Sequence, residues 1–159
     1  MPAHTRRQLL AATGGSLVAL AAGCLGDNGD DESDDDELEA LDDVGVYELE
    51  ILDRATDDHE PIADHHDEHW HGELPTIPEG DTVSLGASVE TDDGEAPDLG
   101  FDYDLEATSL EEDVITTENH EDHVHLYGEE SGSAEVVFEL TDDDGVAFRT
   151  VPLEATVED

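Results

Sequence analysis

From Val44 to the C-terminus the chain alternates apolar and polar residues in short runs with a period of two. Successive side chains of a strand point to opposite faces, so such a run buries one face and wets the other. Tyr47, Leu49 and Ile51 alternate with Glu48 and Glu50, and Val83, Leu85, Ala87 and Val89 with Thr82, Ser84, Gly86 and Ser88. The same rhythm recurs at Phe101, Tyr103 and Leu105, at Val136, Phe138 and Leu140, and at Leu153, Ala155 and Val157. Turn signals divide these runs: Pro78-Glu79-Gly80-Asp81, Asp92-Asp93-Gly94 and Asp142-Asp143-Asp144-Gly145, the last a hairpin. Strong helical periodicity is absent. About seven or eight strands in roughly 115 residues predict an all-β domain, an antiparallel two-sheet sandwich of immunoglobulin-like size.

The segment before this domain has a different composition. Thr5-Arg6-Arg7-Gln8 precedes an apolar stretch from Leu9 to Ala22. That stretch falls short of the roughly 20 apolar residues that span a bilayer comfortably. A basic head, an apolar centre and a small-residue end have the form of an export signal. The paired arginines resemble the twin-arginine address, with Leu9 where Phe is common. Ala21-Ala22-Gly23-Cys24 resembles a lipobox, with Ala21 where Leu is common. This resemblance implies a signal over residues 1–23, lipidation of Cys24 and attachment to the outer face of the cell membrane; an uncleaved membrane anchor is the alternative. Residues 24–43 contain Asp27-Asn28-Gly29-Asp30-Asp31-Glu32-Ser33-Asp34-Asp35-Asp36-Glu37, which cannot bury a core and repels itself into an extended, disordered tether.

Charge narrows the choice of partners. The chain has 47 acidic residues, four basic ones and a net charge of −43, with no lysine. Arg6 and Arg7 lie in the signal and no acidic residue precedes Cys24, so removing the signal takes the net charge from −43 to −45. Such self-repulsion opposes compaction in dilute buffer, whereas molar salt shortens the Debye length to about 3 Å and screens it. The composition resembles that of proteins from extremely halophilic archaea. With no basic footprint, nucleic-acid binding is excluded, and the membrane is reached only through the N-terminal lipid. Cys24 is the only cysteine and Met1 the only methionine. Blue copper, Cys-ligated iron–sulfur clusters and thiol catalysis therefore lack their ligands.

Seven of the nine histidines lie in two clusters, His65-His66-Asp67-Glu68-His69-Trp70-His71-Gly72 and His120-Glu121-Asp122-His123-Val124-His125. Each contains a His-x-His step, which on a strand aims two imidazoles the same way. If the two strands pair, His69, His71, His123 and His125 converge on one transition-metal ion. His65 and His66 on an approach loop, and His120 just before the second strand, are further candidate ligands. Asp67, Glu68, Glu121 and Asp122 are available to orient the imidazoles or to ligate. Trp70 points away from His69 and His71 as a buried anchor whose indole N–H needs a partner. Pro75 and Pro78 make that strand an edge strand or a loop crossing. Imidazole-rich sites suit zinc, with copper(II) the alternative. A solvated or pH-sensing histidine patch is the bland alternative; it fits His59 best, isolated in Asp57-Asp58-His59-Glu60-Pro61.

Together with the export signal and acidic tether, His69-Trp70-His71-Gly72 and His123-Val124-His125 resemble small His-rich extracytoplasmic accessory proteins of metal uptake. The resemblance implies a tethered protein that captures or buffers zinc and hands it to a metal-uptake ABC transporter. An adhesive or structural surface sandwich with a metal staple is the second possibility. A metal-dependent hydrolase is the third, with Glu68 or Glu121 as base. No His-Glu-x-x-His helix or nucleophile elbow is present, so the expectation is a binding protein and not an enzyme.

Overall fold

The computed structural model describes residues 38–159; the export signal, Cys24 and most of the tether lie outside the described residues. Twelve strands are formed: β1 (Leu41–Asp42), β2 (Val46–Asp53), β3 (Pro61–His66), β4 (His69–Gly72), β5 (Ile77–Pro78), β6 (Thr82–Thr91), β7 (Asp104–Ser109), β8 (Ile115–Asn119), β9 (His123–Gly128), β10 (Gly132–Asp142), β11 (Gly145–Arg149) and β12 (Leu153–Glu158). They make two six-stranded sheets. One runs β1-β11-β10-β12-β5, with β7 on the other side of β10, and the second runs β4-β3-β2-β6-β9-β8. All pairings are antiparallel except β12 with β5. The expected two-sheet sandwich is the observed architecture, with more and shorter strands than the alternation alone suggests.

The core lies between the sheets. Leu49, Ile51, Leu85, Val124 and Leu126 enter it from the second sheet, and Leu105, Val136, Phe138 and Leu140 from the first, all essentially without solvent contact. Complete burial of each such side chain contributes roughly 1.5–3 kcal/mol. The cross-strand order explains why the alternation is so visible: each sheet has one dry face and one wet one.

Long β10 makes two partners share one of its sides. β11 pairs with its C-terminal part and β12 with its N-terminal part, leaving Thr150, Val151 and Pro152 as a break in the ladder. Proline cannot donate to a ladder. Thr150 repairs the break: its N–H donates to Phe138 O at 3.0 Å, and its Oγ1 accepts from Phe138 N–H at 3.1 Å. Nearby Arg149 Nε donates to Glu139 Oε1 at 2.5 Å, so this rare cation neutralises a largely buried carboxylate.

Two expectations need correction. Leu41–Asp42, assigned to the tether by composition, pair with β11. Asp42 Oδ1 then accepts the N–H groups of Val44, Gly45 and Val46 at 3.2, 2.7 and 3.1 Å, so this acid is a turn-former, not a solvated spacer residue. The run through Phe101 is not one strand either. Gly100 at φ 82° and the N–H of Asp102 donating to Asp98 O at 2.8 Å close a turn, leaving Phe101 89% exposed, and β7 begins only at Asp104.

Candidate metal centre

The two histidine clusters occupy opposite edges of the second sheet. β4 and β3 form one edge, β9 and β8 the other, with β2 and β6 between them. Three to four strand spacings of about 4.8 Å separate the clusters, so the four-imidazole convergence does not form. His-x-His fixes a face but not a neighbour, and the sheet order puts three strands between β4 and β9 where the convergent site required none. Apart from His65, the strand histidines of both clusters lie on the outer face of the sheet, because His65, Trp70, Val124 and Leu126 take the inner one.

At the β8–β9 edge, Val124 and Leu126 anchor β9 in the core and turn His123 and His125 outward, where both are half-buried. The three-residue connection from Asn119 to His123 brings His120 over them. Its backbone N–H donates to His123 O at 2.8 Å. The rings of His120 and His123 stack at 4.5 Å and 13°, and His125 lies 4.9 and 5.1 Å from them. One donor atom from each of His120, His123 and His125 lies within 4.8 Å of the others, and the set can hold a metal ion. Tetrahedral zinc needs donor nitrogens about 3.4 Å apart, closer than the 4.8 Å limit within which these three lie.

The surroundings of this trio suit ligation. His123 Nδ1 lies 2.6 Å from Asp122 Oδ1. With the ring proton on Nδ1 donated to that carboxylate, Nε2 is the free lone pair; a carboxylate behind a ligating imidazole is the usual orienting device. The same hydrogen bond holds Asp122 below the usual carboxylate range, helped by the charge of Arg54 at 3.9 Å. The Arg54 methylenes pass over Gly86, opposite His123 in the ladder, where a Cβ would make only ordinary contact at 3.5 Å from Arg54 Cδ. His120 Nε2 is buried without a hydrogen-bond partner, an orphaned lone pair or donor of the kind a metal satisfies. Burial pulls His125 below the ordinary imidazole value, and the neighbouring charges of His123 and His120 pull it further. The shift favours the neutral ring, the form that a ligand must take. Tyr127 O–H donates to Glu118 Oε2 at 2.5 Å, which lowers the carboxyl's pKa and raises the phenol's.

At the β3–β4 edge, a two-residue turn joins the strands. Asp67 and Glu68 both adopt positive φ, 49° and 61°, as a type I′ turn demands and as Glu rarely does. His65 and His66 are therefore strand residues, not an approach loop. His65 faces inward and is buried against Trp70 and Phe148, at ring distances of 5.0 and 5.8 Å. Burial lowers its pKa and its Nε2 has no partner, so it is a core histidine, apart from any outer-face ligand set. Trp70 also points inward, and its indole N–H donates to Val151 O at 2.7 Å, in the break between β11 and β12. Outward, Asp64, His66 and His71 bring one donor atom each within 4.8 Å of one another. His69 lies opposite His66 in the ladder, exposed and outside that group. His59 is exposed in a turn and belongs to neither cluster.

Three features escaped the sequence reading. Asp64 joins the outer face by the same period-two rule that places His66 there. Glu118 and Tyr127 meet only through the β8–β9 register. The Arg54–Asp122 pair joins the end of β2 to the turn before β9.

No protein-family model matches the chain, and no curated protein matches it. Among solved structures it is similar to domains 4 and 5 of the S-layer protein SbsC, with 12% identity and a TM-score of 0.41, over 71% of this chain and 77% of that one.

Proposed function

We propose that the protein is a lipid-anchored extracytoplasmic binder of transition metal, zinc first, with His120, His123 and His125 as its ligands, and that it captures or buffers the ion for a metal-uptake ABC transporter. The observation that carries the reading is the three-imidazole group with Asp122 behind His123 and a buried His120 Nε2 that makes no hydrogen bond and has Glu118 Oε1 at 3.8 Å. Three neutral nitrogens leave the fourth tetrahedral position of zinc to water or an incoming ligand, which suits exchange. The export signal and acidic tether put such a site outside the membrane, where metal arrives.

Metal analysis of the full chain, purified in molar KCl without affinity histidines, tests this reading. The expected result is one zinc equivalent that a chelator removes while the domain stays folded. Replacing His123 and His125 by Gln should weaken zinc binding by about 100-fold or more. Zinc that leaves only on unfolding identifies a structural staple instead. Unchanged affinity in the double variant removes the assignment altogether.

A further inference from the structure

The β3–β4 hairpin carries a second constellation with its own chemistry. The register sets Asp64 opposite His71 and His66 opposite His69. All four side chains share the outer face, because Ala63, His65 and Trp70 take the inner one. Cross-strand partners stand about 5 Å apart and alternate residues of one strand about 7 Å, so the four Cβ atoms mark the corners of a flat rectangle. Three corners are already drawn together. Asp64 Oδ2 lies 3.1 Å from His66 Nδ1, and the rings of His66 and His71 stack at 4.8 Å and 17°. His69, the fourth corner, is exposed and needs only side-chain rotation to join them.

We propose that this hairpin is a second, independent metal site that takes copper(II), ligated by Asp64, His66 and His71 with His69 completing the set. Three imidazoles and one carboxylate presented from a flat surface form the tetragonal nitrogen–oxygen set that suits copper(II) and nickel(II), and the affinity order favours copper. The β8–β9 trio differs on each count. It is all nitrogen, and its His125 ring is inclined by 61° and 53° to those of His120 and His123. The sheet backbone closes one side of the hairpin site and the other side faces water. This inference stands whether or not zinc occupies the other edge.

The test uses the full chain in molar KCl, titrated with copper(II) against glycine as competitor and followed by electron paramagnetic resonance. The variant His120→Gln/His123→Gln/His125→Gln should retain one copper(II) per chain, with a tetragonal spectrum split by imidazole nitrogens. His66→Gln/His71→Gln should weaken that binding by about 100-fold or more while leaving zinc binding intact. His71→Gln alone changes one exposed side chain, keeps the fold, and should already change the nitrogen splitting. The proposal is overturned if the triple variant binds copper no better than a chain lacking both clusters, or if its bound copper shows no imidazole coupling. Failure of the parent chain to bind zinc, with hairpin copper retained, overturns the reading of the other edge and leaves this one standing.

Discussion

The two edges of the second sheet begin from the same His-x-His step and end in different chemical environments. β9 has a partner on each side, β6 and β8, so His123 and His125 are half-buried and surrounded by groups from neighbouring strands. β4 has a partner on one side only, so His69 and His71 stand exposed and meet only the residues of β3. Strand position therefore decides how much of a site is prearranged. The inner strand receives Asp122, Arg54 and the Glu118–Tyr127 pair, whereas the edge strand receives Asp64 and a tight turn. Both edges offer ligands, but the first limits their freedom through packing and the second through register alone.

The comparison can be broken most forcefully at Trp70. Its indole binds Val151 O and its ring packs edge-on to Phe138 at 5.9 Å, so it joins the exposed hairpin to the opposite sheet. Trp70→Ala should cost about 3 kcal/mol in urea unfolding at high salt and weaken copper binding, with zinc affinity at the other edge unchanged. A loss below about 1 kcal/mol would mean that the hairpin holds its place without this anchor.

Asp122→Asn sharpens the comparison from the other side. Asparagine keeps an acceptor oxygen but loses the charge that makes the His123 ring a stronger ligand, and zinc affinity measured by chelator competition should fall by about 10- to 100-fold. Copper at the hairpin should be indifferent. Equal affinities in variant and parent would make the 2.6 Å contact incidental to binding.

The smallest expected effect is a pH slope in the metal-free protein. Burial lowers the pKa of His65 below its ordinary 6.5, and His125 is lowered in the same direction. The unfolded chain therefore takes up protons near pH 6.5, before the folded chain does. Stability is full above that value, declines as pH falls toward the depressed folded values, and levels off below them. Urea midpoints between pH 5 and 8 in molar KCl should show this decline, and His65→Leu should flatten it. A slope unchanged in His65→Leu would mean that the inner histidine contributes nothing to it.

Alternation made most of the scaffold legible before any coordinates. Val124 and Leu126 face the core as their spacing requires, and Asp142-Asp143-Asp144-Gly145 joins β10 to β11. The site was harder to read because periodicity reports a face and says nothing of strand order. β3 was hidden for a related reason: its buried residues are Ala63 and His65, which carry little apolar signature. Leu41 and Phe101 failed in opposite ways. A short strand sat inside an acidic run, and an aromatic residue sat in a turn closed by Gly100. In both cases a local carboxylate, Asp42 or Asp102, satisfies backbone N–H groups, a role that composition cannot distinguish from solvation.

The place of Trp70 has an optical consequence. It is the only tryptophan, set between His69 and His71 on the opposite side of the same strand. Its fluorescence therefore reports on one edge of the sheet alone. If the hairpin takes copper(II) as proposed, that paramagnetic ion quenches it through the thickness of a single strand. Diamagnetic zinc at β9, about four strand spacings or roughly 19 Å away, leaves it bright. A mixed titration can then be resolved by emission intensity, with no label attached to the protein.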